Sequence, residues 1–373
     1  MILDAQHPLS SGLTADSRLI QAYQGTRPAV TPVWFMRQAG RSLPEYRELR
    51  VGTRMLDVCL DPELASEISL QPVRRHQVDA GIFFSDIVVP LKLVGVDVSI
   101  VAGKGPVLGK TVRTPADVDE LTALDPALLD TALAPISAAV GLAVSQLGST
   151  PLIGFAGAPF TLAAYLVEGG PSKDHIHART LMHAQPEAWA KLMAWTADVT
   201  GRFLRAQVLA GASAAQLFDS WAGALSLVDY AASVAPASAA AIAHVRDLTY
   251  TVPGQGEEST DRNVPIVHFG VGTGELLKEM HNIGADVVGV DYRVPLDEAN
   301  RRLGGAVPLQ GNVDPALLAA PWSVLEAHVR DVLGRGRTAP SHVLNLGHGV
   351  PPDTDPDVLT RLVSLVHDVS AAE

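Results

Sequence analysis

Short apolar runs recur along the chain, and most give way to Gly, Asp, Ser or His. In order they are VWFM (33–36), AGIFF (80–84), LIGFA (152–156), AAQLF (214–218), PIVHF (265–269), DVVGV (286–290), AVPLQ (306–310) and HVLNL (342–346). Most lack polar alternation, which is the pattern of strands covered on both faces. Between them the apolar spacing turns helical, over Pro62 to Val78 (behind Asp61 as N-cap), Pro186 to Leu209, Ser226 to Val245, Glu275 to Asn282, Leu296 to Leu303 and Ala316 to Leu333. A last helix opens at Asp355-Pro356, with Leu359, Leu362 and Val366 on one face. Eight strands alternating with helices predict an α/β fold, a (β/α)8 TIM barrel, with an open doubly wound sheet as the alternative. The expected organisation is a single domain over residues 1–373 with a short N-terminal extension, 1–26. A β-hairpin insertion is predicted after strand two, in VGVDVSIVAGKGPVLGKTVRT, followed by an Ala/Leu helix. The polar TVPGQGEESTDRN (251–263) is predicted to be a mobile surface loop.

In a parallel barrel the chemistry gathers at the C-terminal ends of the strands. Those positions hold Arg37, Ser85-Asp86, Tyr165 in GAPFTLAAYLVEGG, Asp219-Ser220, Gly270, Asp291, Gly311-Asn312 and Gly347-His348-Gly349. Barrel closure would set His348 and Asp86 on either side of Arg37. Each residue also has a structural reading. Asp86 could cap the next segment, Tyr165 could be a core aromatic, His348 could bond a carbonyl in its turn, and Arg47 could lie on a solvated helix face.

Charge sharpens the picture. The chain carries a formal charge of −12, which argues against a nucleic-acid or anionic-membrane partner. Yet Arg37, Arg41, Arg47, Arg50 and Arg54 crowd one segment with only Glu45 and Glu48 beside them. Guanidinium groups stay charged and match carboxylates or phosphates, so the missing anions are expected on the ligand. The single Cys59 excludes a disulfide framework and a multi-cysteine metal site within one chain. His175 and His177 stand alone, and no metal is expected. The loop VHFGVGTGELLKEM could imitate a dinucleotide or S-adenosylmethionine loop, although glycines after a strand are ordinary turn chemistry. The N-terminus shows no secretory signal, and no apolar stretch is expected to reach the ~18 residues of a membrane span, so a cytoplasmic protein is predicted.

The motifs FMRQAGRSLPEYRELR, FFSDIVVP, GFAGAPFTLAAYLVEGG, LFDSWAG and NLGHGVPPDTDP together resemble the uroporphyrinogen decarboxylase family, from about Arg27 to the last helix. Ser42 departs from it, standing where an aromatic is usual. The resemblance implies a homodimeric barrel that removes the four acetate carboxyls of uroporphyrinogen III as CO2, giving coproporphyrinogen III in haem biosynthesis without cofactor or metal. It assigns Asp86 to stabilising a protonated pyrrole, and Arg37 and Arg41 to the substrate carboxylates. Gln38, Ala39, Gly40 and Arg50 complete that wall, and Tyr165, Ser220 and His348 make further substrate contacts. A guanidinium is a very weak acid, with a pKa above ~12, so the proton donor is left between Arg37 and a bound water. Two rivals stand beside this reading. Related barrel methyltransferases serve a corrinoid partner with thiolate-bound zinc, and a tetrapyrrole carrier would leave the carboxylates intact.

Overall fold

The computed structural model describes residues 1–40, 42–251 and 261–371. Seven of the eight apolar runs form one parallel sheet. Its strands are β1 (Gly81–Ile82), β2 (Leu152–Gly157), β3 (Ala214–Asp219), β4 (Ile266–Gly270), β5 (Val287–Gly289), β6 (Leu309–Gln310) and β7 (His342–Val343), bonded in chain order. Parallel neighbours in chain order require crossovers, and helices supply them. Every residue of β2 and β4 is buried, as expected for strands covered on both faces.

The sheet curls. Gln310 on β6 donates through Nε2 to Gln216 Oε1 on β3 at 3.1 Å, although two strands lie between them. Such a contact is possible only across the concave side. Gln310 Oε1 also accepts from Tyr23 Oη at 2.5 Å and Trp34 Nε1 at 3.1 Å. The N-terminal extension is therefore built into the interior, with Leu19, Ile20 and Tyr23 buried.

The first apolar run departs from expectation. Residues 33–36 make a single parallel bridge, Val33 to Leu344, rather than a strand. Its main chain does bond towards both sheet edges. Trp34 N donates to Leu344 O at 3.3 Å and Leu344 N to Pro32 O at 2.9 Å, while Asp79 N, just before β1, donates to Val33 O at 2.9 Å. The ladder is broken for a chemical reason. Pro32 has no N–H, and side chains take three of the next N–H groups. Val33 N donates to Asp79 Oδ2 (2.8 Å), Phe35 N to Gln38 Oε1 (2.9 Å) and Met36 N to Asn345 Oδ1 (2.9 Å).

The helices follow the predicted spacing, with breaks at prolines. Pro62–His76 starts behind Asp61, whose side chain accepts from Glu63 N and Leu64 N, and Pro186–Leu209 runs unbroken. The predicted helix 226–245 divides into Leu227–Ser233 and Ala235–Arg246, with Pro236 opening the second part. Ahead of Trp322–Gly336, Pro315–Ala319 is a 3-10 turn that stops at Pro321. The predicted hairpin is present, Val98–Val101 pairing antiparallel with Gly105–Leu108. Of the predicted loop 251–263, residues 252–260 lie outside the described residues; at its ends Thr249–Tyr250 pairs with Arg262–Asn263.

One helical stretch, Pro115–Leu147, is long and apolar enough in composition to cross a membrane, contrary to expectation. It is a set of core helices instead. Its longest α-helical piece, Ala134–Leu147, spans 14 residues. At 1.5 Å per residue that is ~21 Å, short of a ~30 Å hydrocarbon core. Its Ile136, Ala139, Val140 and Ala143 are fully buried, and the helix packs on Pro62–His76.

Candidate active site

The turn after residue 36 is set by its own polar side chain. Gln38 is completely buried, accepts from Phe35 N, and donates through Nε2 to Ala80 O at 2.9 Å. Its own N–H bonds Phe35 O at 3.0 Å. Between these bonds Arg37 takes a left-handed backbone, φ 63°, and projects an exposed side chain. That conformation costs a non-glycine residue roughly 1–2 kcal/mol and persists here because the flanking bonds fix it. The Gln38 side chain thus holds the turn rather than facing outward. Ala39 is half-buried, and Gly40 adopts φ 155°. Arg41 lies outside the described residues.

Asp86 follows β1. Its Oδ1 accepts from Val88 N at 3.0 Å, an Asx turn; the helix that follows, Val89–Leu93, has Val88 at its N-cap and no side-chain capping bond, so Asp86 is not its cap. Burial pushes its carboxyl pKa up, while the Val88 N–H and the Arg37 charge pull it back. Tyr165, on helix Pro159–Glu168 after β2, feels the same pair. Burial raises its phenol to about 12, with the Asp86 charge adding to the rise and Arg37 opposing it. These electrostatic couplings bring Arg37, Asp86 and Tyr165 together at one end of the sheet. From the other edge, Val350 N donates to Met36 O at 2.8 Å. A Cβ on Gly349 would overlap the Arg37 side chain, so the loop holding His348 lies against Arg37, as expected from the chain order.

Cys59 feels the charges of both Asp86 and Arg50. Burial raises the Cys59 thiol pKa, the Asp86 charge adds to that, and Arg50 lowers it. Arg50 lies over the Tyr46 ring at 5.9 Å, and its buried Nη1 has no hydrogen-bond partner. A buried guanidinium N–H left free is a donor suited to an incoming anion. The other arginines of the segment differ. Arg54 pairs with Asp57 at 2.7 Å, and exposed Arg47 donates to Pro352 O at 3.1 Å. Glu45 is engaged by Arg75 at 2.8 Å.

Other residues at strand ends turn away from this point. Asp219 Oδ1 accepts from Thr161 Oγ1 at 3.0 Å, on the helix side of β3. Asn312 donates to Asp291 O and Val294 O. Asp291 Oδ2 accepts from Gly272 N at 2.7 Å, which occupies an N–H that the dinucleotide reading of the GVGTG loop would need. Ser220 is half-buried beside Trp221, whose ring stacks on Tyr165 with centroids 3.9 Å apart.

Two features escaped the sequence reading. One is that stack. The other is an aromatic row, Phe155 to Phe218 at 5.5 Å and Phe218 to Phe269 at 6.1 Å, both edge-on. Phe218 lies two residues beyond Gln216 and therefore on the same concave face, one layer nearer the strand ends. The signal was present, since a phenylalanine stands within two residues of the end of each of three consecutive strands. Among the described residues, no three His, Cys, Asp or Glu side chains converge to hold a metal ion.

Comparison with known proteins decides the family. The family model described as uroporphyrinogen decarboxylase matches residues 14–369. The chain is 73% identical over 369 residues to the uroporphyrinogen decarboxylase of Leifsonia xyli subsp. xyli, covering 98% of each chain. The chain belongs to the uroporphyrinogen decarboxylase family. The enzyme of that name from an Arthrobacter species is 66% identical, covering 96% of this chain and 99% of its own. As a member of the uroporphyrinogen decarboxylase family the protein is a lyase of porphyrin and haem biosynthesis, which meets the expectation drawn from the motifs. Among solved structures, a methyltransferase from Methanosarcina mazei superposes with a TM-score of 0.77 over 96% of this chain and 99% of its own. At 18% identity that likeness speaks for the TIM-like fold alone.

Proposed function

We propose that this chain removes the four acetate carboxyls of uroporphyrinogen III as CO2, leaving coproporphyrinogen III, without metal or organic cofactor. The observation that carries the reading is the electrostatic convergence of Asp86, Arg37 and Tyr165, together with an unpartnered Nη1 on Arg50, whose charge acts on Cys59 as that of Asp86 does. The substrate presents its side-chain carboxylates outward and its pyrrole N–H groups inward. Arg37, Arg41 and Arg50 receive the carboxylates, while Asp86 accepts from the N–H groups. Protonating a pyrrole α-carbon creates a cation that takes up the electrons of the breaking C–C bond, so the ring does the work for which other decarboxylases borrow a cofactor. A carboxylate already fixed beside that cation stabilises it without reorganising. Tyr165, Ser220 and His348 complete the contacts. Gln38, with Ala39 and Gly40, holds the turn that aims Arg37, and the row Phe155–Phe218–Phe269 offers an apolar floor.

In this reading residues 32–36 complete a closed eight-stranded barrel, supported by their bonds towards both sheet edges. The chain then acts as one domain, as a homodimer in the cytoplasm. The test is an anaerobic incubation of the purified protein with uroporphyrinogen III and excess chelator, with no S-adenosylmethionine or corrinoid added. Oxidation and separation by carboxyl number should show seven-, six-, five- and four-carboxyl porphyrins in sequence. Unchanged eight-carboxyl material that the folded protein still binds would refute decarboxylation and leave a carrier.

A further inference from the structure

Three consecutive residues at the end of β3 part in different directions, and two of them grip one helix. Asp219, fully buried, accepts a hydrogen bond from Thr161 at 3.0 Å, and its Oδ2 lies 3.4 Å from His268 Nε2 on β4. Trp221 lays its indole on the Tyr165 ring, centroids 3.9 Å apart and planes inclined by 31°. Thr161 and Tyr165 are four residues apart on helix Pro159–Glu168, hence on one face. The segment therefore holds that helix at two points a turn apart, with Ser220 between them.

The indole is itself supported. The His175 imidazole stacks on it at 4.4 Å and 30°, is 3% exposed, and meets Phe160 edge-on at 6.5 Å. A side chain on Gly223 would overlap Val271 O, so the turn that follows Trp221 is pressed against the loop after β4. A phenol swings on two torsions, and its hydroxyl is the part furthest from the backbone. A flat ring stacked on its face removes that freedom.

We propose that Trp221 is a positioning residue, which fixes the Tyr165 ring so that its hydroxyl is presented to the substrate beside Asp86 and Arg37. The inference rests on the reading that Tyr165 touches substrate. It assigns to the tryptophan a part in turnover that packing alone would not require, exerted through the Tyr165 hydroxyl.

The test is a double-mutant cycle on the full chain, comparing Trp221→Leu, Tyr165→Phe and the pair by initial rates with uroporphyrinogen, after thermal melts show each variant folded. Trp221→Leu should lower kcat/KM roughly 10- to 100-fold, the loss expected when a contacting group is misplaced by about an ångström. Trp221→Phe, which keeps a flat ring, should recover most of it. In the Tyr165→Phe background the hydroxyl is gone, and Trp221→Leu should then change the rate by less than about twofold, the non-additivity of residues acting through one group. A full-sized extra loss in that background, or unchanged kinetics in Trp221→Leu alone, would overturn the proposal. A Tyr165→Phe enzyme as active as the parent would instead remove the Tyr165 contact through its hydroxyl, and the inference with it. Should Trp221→Leu not fold, His175→Asn takes its place in the cycle. It withdraws the other stacked ring, and Asn tolerates the left-handed backbone there, φ 48°.

Discussion

Replacing Asp86 by Asn removes a charge with the least change of shape. The amide oxygen can still accept from Val88 N, 3.0 Å away in the parent, so the turn survives. Asp86 is half-buried and burial is the largest influence on its carboxyl, so water screens it only in part. Two unit charges ~4 Å apart at an effective dielectric of ~20 interact by about 4 kcal/mol. Stabilisation of that size, given to a cation present only along the reaction path, corresponds to about a thousandfold in rate. The Asn dipole returns part of it, so kcat should fall roughly 100- to 1000-fold while KM stays within about threefold.

Stability should move the other way. The folded carboxyl pKa is raised, so between the ordinary value of ~3.9 and the raised one the folded state holds more protons than the unfolded state. Stability therefore falls as pH rises through that window, and at neutral pH the buried charge weakens the fold. Asp86→Asn should melt at or above the parent temperature at pH 7, with the difference shrinking in acid. Anaerobic initial rates and melts over pH measure both. A raised KM with unchanged kcat would refute the assignment, because the charge would then serve binding alone. A clearly lower melting temperature at pH 7 would refute the burial argument.

Gly349→Ala places a methyl group against the Arg37 side chain at a glycine without a positive φ, so kcat/KM should drop at least about tenfold while the urea midpoint hardly moves. Equal activity would show that Arg37 need not lie there. Gln38→Ala leaves Phe35 N and Ala80 O without their buried partner and should cost about 2–5 kcal/mol in urea unfolding, with activity failing alongside. Burial lowers the pKa of His342 to about 4, against an ordinary value of 6.5. The unfolded chain takes up this proton first, so the contribution is complete above pH ~6.5 and disappears by pH ~4, about 3 kcal/mol in all. His342→Asn should flatten unfolding free energy against pH in that window, and an unchanged slope would refute the assignment.

The repeating strands were legible because two-sided burial writes itself as continuous apolar runs. The first run was only half legible. Its polar partners, Asp79, Gln38 and Asn345, are visible as residues, but nothing local says that they replace ladder carbonyls. Asp86, Asp219 and Asp291 look alike in the sequence, each closing or following an apolar run. Only the fold turns the first towards Arg37 and the others to Thr161 and Gly272. The family resemblance assigns Gln38 to a binding wall, but the sequence does not show that its side chain also holds the left-handed turn at Arg37. The Trp221–Tyr165 stack joins residues on two elements, and pairs so distant leave no periodicity to read.

The segment before Arg37 is fastened like a riveted seam rather than a zip. A strand on a regular ladder can slip by two residues, recover its bonds one step along and keep its faces. Residues 33–36 cannot do this, because Asp79, Gln38 and Asn345 each reach one particular N–H with a side chain of its own length. Any shift breaks all three together. The seam thus has a single registration, and the guanidinium at its end inherits an address fixed along the chain direction. Families of this design should tolerate exchange of the apolar residues in the seam far more readily than exchange of its three fasteners.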